Sequence, residues 1–133
     1  MRDIIFRAKR TDSGEWVEGY YAHLSNGKKQ SDRIYTGYAE TDCEDFYPDW
    51  YEVDPCTVCE WTGLVDKNGN KIWENDILRQ KKSGVYGLPF FVIFDDGSFM
   101  WRENKRTDFI YQSICDTCEI ISNVFDNPDL VDD

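Results

Sequence analysis

Short runs of β-branched and aromatic residues alternate along the chain with polar turns that contain Gly or Asn. This pattern is typical of short strands joined by tight turns. It predicts strands at Ile4–Ala8 and Trp16–Leu24, separated by a polar turn that ends at Gly14. Asn26-Gly27 follows the second of these strands and has the composition of a type I′ hairpin turn. The N-terminal part is therefore predicted to be a β segment.

Two further turn sequences predict hairpins in the second half of the chain. Asn68-Gly69 lies between the predicted strands Trp61–Val65 and Lys71–Trp73, and we interpret this pair as a type I′ turn as well. Asp95-Asp96-Gly97 separates the apolar run that ends at Phe94 from a strand that begins at Ser98.

Helical signals are few. Gly, Pro or β-branched pairs interrupt every window that shows a helical period, so long helices are not expected. We predict a last strand at Ile114–Phe125, followed by a short helical turn with Asn127 as N-cap and Pro128 at the first helical position. The predicted fold class is mainly β, with short antiparallel strands and little helix.

Length and charge restrict the function further. A chain of 133 residues fits one domain, and we expect a single domain over 1–133, with an N-terminal segment 1–52 and a second part 53–133. Fifteen basic against 26 acidic residues give a net charge of −11, which argues against direct nucleic-acid binding. The sequence shows no signal peptide and no apolar run near the roughly 20 residues of a membrane helix. We therefore predict a soluble, cytoplasmic protein with no membrane partner.

The stretch Ile34–Asp66 contains nine acidic residues and no Lys or Arg. Charge runs of this kind are usually solvated loops. Within it, the segment 46–51 carries Phe46, Tyr47, Trp50 and Tyr51. Such rings are either packed against the core or exposed for binding to a partner, and both alternatives stay open. We identify these four residues as a candidate protein-contact surface.

The cysteines allow two interpretations. Two C-x-x-C motifs, Cys56 with Cys59 and Cys115 with Cys118, have the ligand types of a four-thiolate zinc site. In an extended strand, however, residues i and i+3 point to opposite faces, and Thr57-Val58 favours a strand. We therefore predict reduced core thiols, no metal and no cofactor, and keep the zinc site as the alternative.

Catalytic motifs are weak. Asp66–Asn70 has the start of a calcium loop, but Lys71 and Ile77 stand where an EF-hand needs Gly and Glu. His23, the sole histidine, is interpreted as an ordinary strand residue. No phosphate-binding or nucleophile motif is present in the sequence. We expect a non-enzyme, with an enzyme that uses scattered carboxylates as an alternative.

Two nucleic-acid alternatives also stay open. One is an acidic mimic of DNA. The other is direct binding, which would require six cations to converge beside Trp101: Arg79, Lys81, Lys82, Arg102, Lys105 and Arg106.

Three blocks of the sequence resemble one known family. Residues 1–8, M-R-D-I-I-F-R-A, are similar to the opening M-R-x-I-x-F-R-A of the YopX family of phage and prophage proteins. Residues 53–78 include T-G-L-V-D-K-N-G-N-K-I-W-E-N-D-I-L, which resembles the family's most specific segment. Residues 119–130, E-I-I-S-N-V-F-D-N-P-D-L, are similar to its C-terminal block.

The resemblance implies a small, mainly β domain whose C-terminal half is an SH3-type barrel, acting in the cytoplasm of a bacterial host, with no known activity. The expected partner is a host or phage protein, or a second copy of the chain. Two residues depart from the family pattern. Asn75 replaces a Gly, and Asn enters the left-handed region readily, so we expect the turn to be kept. Ser122 replaces another Gly and is expected in β or slightly rearranged backbone.

Overall fold

The computed structural model describes residues 3–40 and 46–130, except for the side chains of 38–40 and 46–48. The chain divides into two compact units, Met1–Glu60 and Trp61–Asp133, which we call the N-terminal and C-terminal units. The predicted mainly β fold with little helix is confirmed: twelve strands and one four-residue helix lie within the described ranges. The SH3-type barrel and the division into 1–52 and 53–133 stay predictions. No helix among the described residues is long and apolar enough to cross a membrane.

The N-terminal unit contains an antiparallel sheet with the strand order β4-β3-β2-β1-β5, of which β5 contributes Cys59 and Glu60. Ala8, Ile34 and Val53 form its buried core. The strands are β1 (Phe6–Lys9), β2 (Trp16–Asn26), β3 (Lys29–Glu40), β4 (Phe46–Glu52) and β5 (Cys59–Val65), with a 3-10 turn at Pro55–Thr57.

Two expectations for this unit are wrong. Phe46–Glu52 is a strand paired in register with β3 and not a solvated loop, and its Tyr51 lies opposite the buried Ile34. The hairpin between β2 and β3 turns at Gly27 and Lys28, since Asn26 pairs with Lys29. Of the two turn residues only Gly27 has a positive φ, whereas a type I′ turn needs both.

The C-terminal unit contains a second antiparallel sheet with the order β11-β10-β9-β7-β12, and β8 pairs with β7. The remainder of β5 pairs with β6. Its core is formed by Ile72, Leu78, Phe90, Val92, Ile110, Cys115 and Cys118. The elements are β6 (Lys71–Trp73), β7 (Asp76–Lys82), β8 (Val85–Tyr86), β9 (Phe90–Asp95), β10 (Ser98–Glu103), β11 (Arg106–Phe109), α1 (Gln112–Cys115), β12 (Cys118–Asn123) and a 3-10 turn at Pro128–Leu130.

Both hairpins predicted in this unit are confirmed, but one turn type is wrong. Asp96 and Gly97 both have positive φ in a two-residue turn between β9 and β10. Between β5 and β6 the Gly69 N–H bonds the carbonyl of Asp66, and Asn68 keeps a negative φ. This is a type I turn followed by one left-handed Gly, because the loop is longer than the two residues that a type I′ turn spans.

The C-terminal block is partly as expected. The helical turn at Pro128–Leu130 is confirmed. The last strand begins at Cys118 and not at Ile114, because α1 occupies the preceding residues. Asn75 has φ +68° and keeps its turn, as predicted. Ser122 has no positive φ and lies where a bulge shifts the register of β12.

Candidate protein-contact surface

The predicted contact residues lie on β4, where the alternation of side chains along the strand places neighbouring residues on opposite faces of the sheet. Successive side chains of a strand point to opposite faces, so Trp50 and Tyr51 cannot form one patch. Tyr51 lies opposite the buried Ile34 in register, and Trp50 lies opposite Tyr35. Phe46 and Tyr47 have side chains outside the described set. Among the residues with described side chains, the predicted four-ring patch is therefore reduced to Trp50 on the face turned away from the core.

Three aromatic residues lie side by side on that outer face. Tyr20 of β2 pairs in register with Tyr35 of β3, which in turn pairs with Trp50 of β4. Residues directly opposite in antiparallel strands carry their side chains on the same face. Tyr20 is 66% exposed and Trp50 39% exposed. We call Tyr20, Tyr35 and Trp50 the aromatic row.

Arg33 holds part of the aromatic row in place. Its guanidinium carbon lies 3.8 Å from the centre of the Trp50 ring. Its Nη1 donates a hydrogen bond of 3.2 Å to the hydroxyl of Tyr35, and its Nε donates to the Ser31 hydroxyl at 3.0 Å. A guanidinium stacked on a ring and fixed by hydrogen bonds limits the rotamers of both side chains. Tyr35 and Trp50 are therefore ordered before any partner arrives.

The same face continues to β1 with a second contact between cations and a ring. Trp16 pairs in register with Lys9. Its ring has the guanidinium carbon of Arg7 at 4.5 Å and the ammonium of Lys9 at 5.4 Å. Rings and cations thus alternate over the outer face of this unit.

A hydrogen-bonded cluster lies on the opposite face. Asp32 accepts from the Tyr21 hydroxyl at 2.5 Å and lies 2.8 Å from Nδ1 of His23. The hydrogen bonds from Tyr21 and then His23 hold the pKa of Asp32 below its usual value. Burial and the Asp32 partner raise the pKa of Tyr21 to about 12. His23 is about half exposed and is tied to a strand neighbour, which agrees with its interpretation as a strand residue.

The cysteines occupy unlike environments. Cys56 is exposed in the 3-10 turn, where its N–H bonds the Asp54 carboxylate at 3.0 Å, so Thr57 is not in the extended strand predicted for it. Cys59, Cys115 and Cys118 are buried. Burial, and then the neighbouring Cys118, raise the pKa of Cys115 to about 12, which disfavours a thiolate. In the described ranges, no three or more His, Cys, Asp or Glu are grouped to hold a metal ion.

The six cations considered for nucleic acid do not all converge beside Trp101. Arg79 and Lys81 lie over the Tyr86 ring, at 3.9 and 5.0 Å. Of the six, Arg106 is the cation recorded over the Trp101 ring, at 5.6 Å. Lys82 lines one groove together with Trp101, whereas Arg102 points to the other face of β10 and Lys105 lies in the turn between β10 and β11.

Sequence reasoning missed two members of the aromatic row, Tyr20 and Tyr35. Both belong to strands whose alternation could be recognised, but their register relative to β4 depends on the length of two hairpins. The sequence did contain one indication, the adjacent pair Tyr20-Tyr21. In a strand with one buried face, one of two adjacent rings must point outward.

Comparisons with known proteins agree with the architecture. The structure is similar to the crystal structure of protein EF1440 from Enterococcus faecalis, with a TM-score of 0.63 and 24% sequence identity over 99% of this chain and 100% of that one. A comparison with curated protein sequences finds no match. The family model described as YopX protein matches residues 5–132, nearly the whole chain. The chain therefore belongs to the YopX family.

Proposed function

We propose that this chain is a non-catalytic accessory protein of a phage or prophage, and that it binds another protein through the aromatic row in the cytoplasm of the bacterial host. The observation that carries the proposal is the in-register placement of Tyr20, Tyr35 and Trp50 on the face opposite the core. Large rings aligned on an exposed sheet face are unusual unless something covers them.

The chemistry of the aromatic row suits a protein contact. Tyr and Trp provide a large contact area with few rotatable bonds, and they are enriched at the energetic centres of interfaces. Arg33 already fixes Trp50 and Tyr35, so less side-chain entropy is lost on binding. Side chains that are already ordered in the free protein favour binding of a partner whose surface is complementary to that arrangement.

The net charge of the chain, and not the cations Arg7, Lys9 and Arg33 on the face of the aromatic row, favours a basic partner. Carboxylates are frequent from residue 34 to residue 66, the stretch that contains β4, and the net charge is −11. A field of this sign speeds the approach of a positively charged protein, and salt weakens that effect. The same field repels nucleic acid, which is why we prefer a protein to an oligonucleotide.

Site-specific photo-crosslinking would test the proposal. A photoreactive phenylalanine analogue replaces Tyr20 in one version of the chain and Tyr111 in another. Both positions are exposed, but Tyr111 lies in the C-terminal unit. Crosslinking in the natural host should trap one protein from position 20 and not from position 111. That protein is then titrated against wild type and Trp50→Ala.

The expected result is a weakening of about tenfold or more for Trp50→Ala, as for a residue at the centre of an interface. A matched control is Tyr111→Ala, which should bind like wild type. If position 20 traps nucleic acid, or traps nothing while the protein folds normally, the proposed function is wrong. If it traps a second copy of the chain, the contact is one of self-association and no separate partner is required.

A further inference from the structure

The aromatic row runs across the strands of the N-terminal unit and not along them. Tyr20, Tyr35 and Trp50 lie on three adjacent strands and are paired in register. Neighbouring strands of a sheet are about 5 Å apart, so the two ends of the aromatic row, Tyr20 and Trp50, are separated by about 10 Å. A ligand that touches both ends has to repeat its contact at this distance.

The aromatic row also presents hydrogen-bond donors. The hydroxyl of Tyr20 and the indole N–H of Trp50 make no hydrogen bond within the part of the chain that the structure describes. The Tyr35 hydroxyl accepts from Arg33 at 3.2 Å, and its own proton is donated to none of the described residues. Phenol and indole groups are O–H and N–H donors. As far as the described residues go, the aromatic row thus combines three rings with three donors that a ligand can use.

A polyproline II helix matches both features. It has three residues per turn and rises about 3.1 Å per residue, so its residues i and i+3 lie on one side, about 9.3 Å apart. Its backbone makes no internal hydrogen bonds, which leaves every carbonyl free to accept. Proline has no N–H, so a proline-rich segment needs donors from its partner and few acceptors. The spacing of the aromatic row and its donors therefore fit the same kind of segment.

Other ligand conformations fit less well. In an extended strand the side chains of one face repeat every two residues, or about 6.8 Å, which does not match the separation of Tyr20 from Trp50. An α-helix can place side chains at a similar spacing, but its carbonyls accept from its own N–H groups and are closed to the donors of the aromatic row. The bases of an oligonucleotide can stack on rings, but its phosphates are repelled by a protein of net charge −11.

We propose that the aromatic row binds a proline-rich segment in the polyproline II conformation, with two prolines three positions apart. One proline packs on Tyr20, and the other packs on the part of the Trp50 ring that Arg33 leaves uncovered. The hydroxyls of Tyr20 and Tyr35 and the indole N–H of Trp50 donate to carbonyls of the segment. This inference rests on the proposed function, because it names the part of the partner that contacts the aromatic row.

Both surfaces are ordered before they meet. Arg33 limits the rotamers of Trp50 and Tyr35, and proline fixes φ at about −65° in the free segment. Two ordered surfaces lose little conformational entropy when they bind, which compensates for the small contact area of three rings. A short peptide is therefore sufficient to test the contact.

The test is an NMR titration of the intact chain with uncharged peptides of equal length, capped at both ends. The first peptide carries two prolines separated by two alanines, the second separates them by one alanine, and the third has alanine in place of both. The first peptide should shift the indole N–H of Trp50 and leave that of Trp101, in the other unit, unchanged. It should bind about fivefold more tightly than the second, which can place only one proline on the aromatic row. The third should bind more weakly still.

Removal of one hydroxyl provides the discriminating variant. Tyr20→Phe keeps the ring and loses the donor, and it should weaken the first peptide about threefold, the size expected for one neutral hydrogen bond. The matched control is Tyr111→Phe, because Tyr111 is also exposed but lies in the C-terminal unit. This control should bind the first peptide as wild type does. Neither change removes a ring, so both variants should fold like wild type.

Three results would overturn the proposal: no shift at Trp50 with the first peptide, equal affinity for the first and second peptides, or equal affinity of Tyr20→Phe and wild type for the first peptide. Crosslinking gives a separate answer. If position 20 traps a protein that contacts it through a segment without proline, the proposed function stands and this inference is wrong. If the first peptide binds but position 20 traps nothing in the host, the proposed function is wrong and the peptide preference of the aromatic row stands.

Discussion

Oδ2 of Asp66 accepts a hydrogen bond of 3.2 Å from the backbone N–H of Ile120, which lies 54 residues further along the chain. Asp66 belongs to the loop between β5 and β6, and Ile120 to β12. A second bond joins the same elements, because the N–H of Lys67 donates to the carbonyl of Cys118 at 2.9 Å. The loop is therefore held against the last strand of the C-terminal unit.

Asp66 also organises its own loop. Its Oδ1 accepts from the backbone N–H groups of Asn68 and Asn70, each at 2.9 Å, and its side chain is buried. The letters that resemble a calcium loop thus describe a carboxylate that is already satisfied by backbone donors. Burial by itself raises the pKa of Asp66, but the hydrogen bonds from the backbone outweigh it and leave the pKa below its usual value.

Asp66→Asn should lower the free energy of unfolding by about 3 kcal/mol, because an amide cannot accept all of these bonds and leaves a buried N–H without its acceptor. Urea denaturation at neutral pH measures the change. A natural control is Asp129→Asn in the exposed terminal turn, which should stay within about 0.5 kcal/mol of wild type. A small effect at Asp66 would mean that the loop is held by other contacts.

The same residue makes a pH prediction. The folded pKa of Asp66 is depressed, so its contribution to stability is complete above the pKa of the unfolded chain and is lost as the pH falls through the folded value. The stability difference between wild type and Asp66→Asn should therefore narrow below about pH 4. Parallel curves of stability against pH for the two proteins would contradict the assigned hydrogen bonds.

Gly69 supplies a test of the turn. It has φ +83°, and a Cβ atom there would meet nothing within 4 Å, so strain and not collision limits substitution. Gly69→Val should cost about 1 kcal/mol or more, since β-branched residues are poor in the left-handed region. Gly69→Asn should cost less, because Asn tolerates that region. Thermal unfolding of the pair gives the comparison, and equal melting temperatures would argue against the turn.

Gly19 tests the opposite case, in which space and not φ is limiting. A Cβ atom there would come 2.2 Å from the carbonyl oxygen of Tyr35 and 3.1 Å from a methyl of Ile34. Because the first of these is backbone, β2 and β3 would have to move apart, and we expect Gly19→Ala to destabilise the chain by about 2 kcal/mol. Gly87→Ala is the control, since its Cβ would make an ordinary contact at 3.6 Å. Equal stabilities would show that the sheet adapts.

The thiols differ in burial, so they should differ in reactivity. In the native protein, iodoacetamide should modify Cys56 quickly and leave Cys59, Cys115 and Cys118 protected until the chain unfolds. Peptide mass spectrometry reads the four positions separately. Removal of metal by a chelator should leave the melting temperature unchanged, because we predict no thiolate site. Stoichiometric zinc in the purified protein would contradict that prediction.

Local preference decided which residues could make the turns. Asp96 and Gly97 form the predicted hairpin turn and Asn75 keeps its left-handed backbone, since a single residue's φ depends on its own side chain. The helical turn after Asn127 was predictable for the same reason: Pro already has a helical φ. The mainly β fold likewise follows from the short runs of β-branched and aromatic residues that lie between such turns.

Tertiary structure decided which contacts those elements make with parts of the chain that are distant in sequence. The loop around Gly69 is not a two-residue turn, because Asp66 is drawn to β12 by the N–H of Ile120. Phe46–Glu52 is a strand, so Trp50 and Tyr51 lie on opposite faces of the sheet. The register of this strand places Trp50 on the same face as Tyr20 and Tyr35. By itself the sequence determined the mainly β class, the places of several turns and the charge. The register between distant strands decided which rings share a face, since each pairing depends on contacts whose partners lie far apart in the chain.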